Sequence, residues 1–88
     1  MKKHYDDIFT KYLPTIDLHG YDRESARVMV NDFVLENYKD KRKSIIIIHG
    51  IGLGIIKKAV HETLKNNRLV LKYSLHSFNI GMTVVTLK

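Results

Sequence analysis

The stretch Ser44 to Lys58, SIIIIHGIGLGIIKK, decides how the rest of the chain is read. Four isoleucines bounded by His49 and Gly50 have the β-branched, continuously apolar character of a buried strand. Beyond the glycines, Ile56, Ala59, Val60, Thr63 and Leu64 recur at helical spacing. The stretch therefore reads as strand, glycine loop and helix. Such a loop lets backbone N–H groups approach an anion closely, and the helix start adds unpaired N–H groups and a positive dipole end. Taken alone, the same glycines serve equally well as a tight strand-to-helix turn.

Working outward, Thr15 to Gly20 reads TIDLHG. In a strand Ile16 and Leu18 would share one face, and Asp17 and His19 the other. Their Cα atoms would lie about 6.6 Å apart, long for a direct hydrogen bond but suited to gripping one ligand together. Asp22 is a good helix N-cap and Glu24 suits a first turn. Ala26, Met29, Val30, Phe33, Val34 and Tyr38 form an apolar stripe along a helix from about Arg23 to Tyr38, and Lys39 to Lys43 is a charged connection. A strand–helix–strand unit of this length implies parallel strands, whose carboxyl ends share the sheet edge where open α/β folds bind ligands. His19 with Gly20 and His49 with Gly50 are thus expected side by side.

The second helix is expected over Ile55 to about Asn66, with Lys57, Lys58, His61, Glu62 and Lys65 away from its buried face. Leu69 to Leu75 and Met82 to Leu87 read as two strands joined by a hairpin loop, Ser77 to Gly81. In this reading Leu71, Tyr73 and Leu75 alternate inward, as do Thr83, Val85 and Leu87. His61 reads as an exposed helix residue, His76 as a structural residue at the hairpin mouth, and His4 as a surface histidine. Residues 1–14 form an N-terminal arm closed by Pro14, and residues 15–88 form the domain.

The chain has 88 residues, enough for one small domain with a modest core. No run of about 18 apolar residues is present to span a membrane, and Asp6 and Asp7 interrupt the place a signal peptide would need, so a cytoplasmic address is expected. Having no cysteine excludes disulfides and thiolate metal sites. Residues 1–40 carry six Lys and Arg against eight Asp and Glu, whereas residues 41–88 carry nine against Glu62 alone, a surplus of eight. A basic half surrounding the glycine loop points to a polyanion, since neutralising phosphates releases counterions. Gly50, Gly52 and Gly54 do not match the dinucleotide pattern, and no Gly-Lys-Ser or Gly-Lys-Thr follows to make a nucleoside triphosphate loop.

Three stretches together, IDLHG at Ile16 to Gly20, IIHGIGLGIIKKAV at Ile47 to Val60 and GMTVVTL at Gly81 to Leu87, resemble the motifs of the Smr (small MutS-related) domain family. The resemblance covers about Thr15 to Lys88. It implies a two-layer βαβαββ α/β sandwich with a mixed four-stranded sheet, similar to the C-terminal domain of a translation initiation factor. It also implies endonuclease activity on RNA or DNA, in a stand-alone member of a family that also occurs at the end of MutS2-type proteins. By position, Asp17 and His19 match the family's catalytic motif, and His49, Gly50, Gly52 and Gly54 its nucleic-acid-binding glycine motif. Lys57 replaces a usual arginine, keeping charge without bidentate geometry. Ile51 stands where a lysine is frequent, and Asn79 and Ile80 replace part of a glycine-rich turn.

These residues permit two chemistries. RNA cleavage without metal would use one histidine to take the 2′-hydroxyl proton and another to protonate the leaving oxygen, with His19 and His49 as the pair and Asp17 orienting His19. The loop amides, Gly20, Lys57 and Lys58 would bind the nucleic acid and stabilise charge. Nicking of DNA would instead require an activated water and a divalent ion such as magnesium held through Asp17. One carboxylate is a thin magnesium site, which favours RNA. Two non-catalytic alternatives are a binding module for nucleic acid or the ribosome and an oligomerising accessory protein.

Overall fold

In the computed structural model, which describes residues 12–88, six elements follow one another in the expected order. They are β1 (Thr15–Asp17), α1 (Arg23–Lys39), β2 (Ser44–Ile48), α2 (Ile55–Lys65), β3 (Val70–Leu75) and β4 (Met82–Leu87). The expected arm lies outside the described residues except for Tyr12, Leu13 and Pro14. No helix among the described residues is long and apolar enough to cross a membrane.

The strands form one mixed sheet in the order β1-β2-β4-β3. β1 pairs parallel with β2, while β4 runs antiparallel to both β2 and β3. The isoleucine strand therefore sits between two neighbours, as its unbroken apolar sequence requires. Its Ile45 and Ile47 enter one core with Leu18, Val85 and Leu87 from the sheet side, and with Ala26, Val30, Val34, Val60 and Leu64 from the helices. α1 begins where Asp22 accepts a hydrogen bond from the Ser25 N–H at 2.7 Å.

Three local expectations are corrected. Regular pairing in β1 stops at Asp17, so the chain is already turning at His19. At the end of α1, Asn37 is buried in place of Tyr38; its side-chain amide donates to the Phe33 carbonyl at 2.9 Å, and its own carbonyl accepts from the Arg42 N–H at 3.0 Å. In β3 the register shifts between Val70 and Lys72, which turns Leu71 out to solvent while Val70 stays buried. One extra residue on a strand changes the face of whatever sits at the shift. The inward alternation of Thr83, Val85 and Leu87 holds.

Candidate functional site

The parallel register sets Asp17 against Ile48, and the Leu18 N–H donates to the Ile48 carbonyl at 2.7 Å. Both chains then leave the sheet at the same edge, bringing the two histidine–glycine pairs together. A Cβ placed on Gly50 would stand 3.4 Å from the Cβ of His19. Gly50 has φ +85°, a left-handed conformation that favours glycine.

The turn at His19 gives its pairing with Asp17 a geometry that an extended strand would not. Nδ1 of His19 lies 2.7 Å from Oδ1 of Asp17, and the His19 backbone N–H donates to the same oxygen at 3.1 Å. A direct hydrogen bond thus replaces the expected split grip. The carboxylate can only accept, so Nδ1 carries the proton and Nε2 is left as the working end of the ring. The His19 ring is 72% exposed. Asp17 is held below its ordinary carboxylate value, first by the His19 side chain and then by the His19 backbone N–H.

His49 occupies a different environment, at 4% exposure, with both ring nitrogens engaged. Nδ1 lies 3.0 Å from the Gly50 carbonyl and Nε2 lies 2.9 Å from the Thr83 hydroxyl. A carbonyl only accepts, so in the neutral ring Nδ1 donates and Nε2 accepts from Thr83. The Thr83 oxygen then accepts from His61, whose Nε2 is 2.7 Å away. Carbonyl, imidazole, hydroxyl and imidazole form one directed chain, because the hydroxyl has a single hydrogen to give. His61 also packs its ring against Tyr73 and edge-on against His49. Burial lowers the pKa of both rings; the Lys57 charge adds to this at His49, and His49 followed by Lys57 add to it at His61.

His61 is therefore a partly buried partner of the site, contrary to the exposed position expected for it. The available signal was Thr83: a threonine on the inward face of a strand needs a partner for its hydroxyl, and a histidine flanking the apolar stripe of α2 can supply one. His76 is buried at the hairpin mouth, where its Nδ1 accepts from the Phe78 N–H at 3.1 Å.

The loop is tied down from the far side by the β3–β4 turn. The N–H groups of His49 and Gly50 both donate to the Gly81 carbonyl at 2.9 Å, and the Gly81 N–H donates to the Asn79 side-chain oxygen at 2.9 Å. Asn79 thus braces the turn by a side-chain hydrogen bond. Gly54 caps α2 at φ +80° with no side-chain hydrogen bond to the helix start. Together His19, Gly20, His49, Gly50, Gly52, Gly54 and Lys57 line an open cleft of about 430 Å³, joined by Ile51, Leu53, Ile55 and Ile56. Lys58 is not part of it; this lysine lines an adjoining cleft with Arg23 and Arg27. Among the described residues no group of three His, Cys, Asp or Glu side chains is placed to hold a metal ion.

Comparison with known proteins adds the relationship. A family model described as the Smr domain matches residues 16–88. Endonuclease MutS2 of Clostridium acetobutylicum is 38% identical over 77 residues, covering 84% of this chain and 10% of that protein. Endonuclease MutS2 of Clostridium botulinum strain Eklund 17B is 35% identical over 83 residues, covering 91% and 11%. The chain thus spans about a tenth of the length of these curated relatives. Among solved structures, the Smr domain of Thermus thermophilus MutS2 superposes with a TM-score of 0.84 at 24% identity, covering 86% of this chain and 99% of that one. YdaL, a stand-alone small MutS-related protein from Escherichia coli, gives 0.81 at 22% identity, covering 100% and 76%. At these identities the two structures speak for the fold.

Proposed function

The chain belongs to the Smr domain family, and from that premise we propose that it is a nucleic-acid-binding endonuclease that cleaves RNA through the His19–Asp17 pair. The observation that carries this reading is the exposed imidazole held by a carboxylate on the wall of a glycine-lined cleft. With Nδ1–H committed to Asp17, His19 presents Nε2 as a general base to the ribose 2′-hydroxyl. The 2′-oxygen then bonds to phosphorus, the P–O5′ bond breaks, and water protonates the departing oxygen. A 2′,3′-cyclic phosphate is the product. Asp17 fixes the tautomer and stabilises the imidazolium that forms. Lys57 and the amides of the glycine loop offset the charge that accumulates on the phosphorane.

The same geometry argues against His49 as the second proton carrier. A buried ring whose nitrogens are committed to Gly50 and Thr83 has no free end for a leaving group. Its place in this mechanism is to hold the loop. The family's association with RNA or DNA leaves one competing chemistry, metal-assisted nicking, in which Asp17 would hold a divalent ion whose role would be to activate a water.

Purified protein given end-labelled RNA and supercoiled plasmid, in magnesium or in EDTA, separates the readings. The expected outcome is RNA cleavage that survives EDTA, yields cyclic phosphate ends and falls by about 10²–10⁴ in His19→Ala while binding is kept. Magnesium-dependent plasmid nicking would transfer the chemistry to a metal at Asp17. Binding without cleavage of either substrate would overturn the enzymatic reading in favour of a binding module.

A further inference from the structure

In the loop after β2, large apolar residues alternate with the glycines: Gly50, Ile51, Gly52, Leu53, Gly54, Ile55. All three lie out in solvent, Ile51 at 64%, Leu53 at 93% and Ile55 at 51% exposure, and all three line the cleft that contains His19. A site that met only phosphate oxygens would gain nothing from such a wall. Keeping three long aliphatic side chains in water at one site forgoes hydrophobic free energy that only a partner's apolar surface returns.

Charge identifies the partner. Lys57 stands in the same cleft as the aliphatic wall. Ile55 is shared with the neighbouring cleft of about 280 Å³, where Arg23, Arg27 and Lys58 stand with Glu62. Arg27 is occupied by Glu24 at 2.6 Å and approached by Glu62 at 3.7 Å, whereas Arg23 and Lys58 make no ion pair among the described residues. The aliphatic residues thus share one cleft with Lys57, and through Ile55 they adjoin a second where Arg23 and Lys58 stand. A ligand that carries flat apolar faces beside negative charge matches that combination. Duplex nucleic acid keeps its base faces stacked inside and shows a protein chiefly its backbone, while an unpaired strand can splay them outward.

We propose that the cleft takes RNA as an unpaired strand, with base faces seated on Ile51, Leu53 and Ile55 and flanking phosphates against Lys57 and against Arg23 and Lys58. The proposal rests on the reading of the site as an RNA-cleaving one and narrows its substrate. Aliphatic contact with exposed base faces is chemically sound, since apolar side chains serve as wedges between unstacked bases in other complexes.

The test measures fluorescence anisotropy of a short labelled oligouridylate, alone and annealed to oligoadenylate, at matched salt. It uses the full chain carrying His19→Ala, so that cleavage does not intervene. The strand is expected to bind about tenfold more tightly than the duplex. Ile51→Ser with Leu53→Ser is expected to weaken strand binding by about tenfold and to leave duplex binding and the salt dependence unchanged. Both side chains are exposed, so an unchanged unfolding midpoint is expected in the same preparation. Equal binding of strand and duplex, equal loss on both in the double variant, or no loss at all would overturn the proposal. So would a wild-type dimer in sedimentation that the double variant dissolves without loss of RNA binding. The nuclease reading fails separately: RNA cut in a His19-dependent way with no strand preference removes this inference alone. A strand preference with no cleavage by the unmutated chain removes the nuclease and keeps the seat.

Discussion

The Thr83 hydroxyl faces two imidazoles and has one hydrogen, so it cannot be replaced by a group of equal shape without cost. Thr83→Val conserves volume and removes both hydrogen bonds, leaving Nε2 of the buried His49 without a partner. Urea unfolding should register a loss of about 1–3 kcal/mol, with Thr83→Ser costing much less because it keeps the hydroxyl. The two rings also set a pH dependence whose sign follows from their depressed pKa values. An unfolded chain takes up protons near 6.5, the ordinary histidine value, while folded His49 and His61 resist protonation. Stability is therefore full above that pH and falls as the solution is acidified below it. His61→Gln keeps a donor for Thr83 without titrating, and urea midpoints measured from about pH 7.5 to about pH 5 should show a shallower decline. Asp17 acts lower on the scale: its depressed pKa means that its contribution is present above the ordinary carboxylate value of 3.8 and is lost below it.

At the scale of elements, the site depends on how one loop is anchored at both ends. Two N–H groups share the Gly81 carbonyl, and two left-handed glycines, Gly50 and Gly54, set the direction of the chain into α2. Gly50→Ala meets both a left-handed φ and a contact at 3.4 Å with His19, so the loop must shift or remain strained. The expected cost is about 1–2 kcal/mol in unfolding experiments, together with weakened cleavage because His19 is the neighbour displaced. Gly54→Ala, with nothing within 4 Å of the added carbon, should show the backbone strain with little effect from contact. Asp22→Ala removes the cap of α1 and should cost about 1 kcal/mol while leaving nucleic-acid binding unchanged.

At the scale of the molecule, the basic surplus is concentrated in residues 41–88, and the cations of both clefts other than Arg23 and Arg27 come from that half. RNA affinity should fall linearly with salt on logarithmic axes, and Lys57→Ala should reduce that slope by about one. Heparin or RNA chromatography insensitive to salt would contradict a polyanion-binding role. The burial of Ile45, Ile46 and Ile47 at the centre of the sheet accounts for the legibility of the fold: a continuous apolar run beside glycines has few other places to go.

Local pattern by itself determined the element order, the start of α1 at Asp22, the parallel β1–β2 pair and the meeting of His19 with Gly50. These follow from periodicity and from the topology of a strand–helix–strand unit. Tertiary structure alone decided that β1 ends early enough for Asp17 to bond His19 directly, and that His49 turns inward. It alone also decided that His61 reaches Thr83 from another element and that Lys58 opens onto a second cleft. The physical reason is range: hydrophobic periodicity is written in neighbouring residues, whereas the partner of a buried polar atom lies 22 or 34 residues away and is chosen by packing.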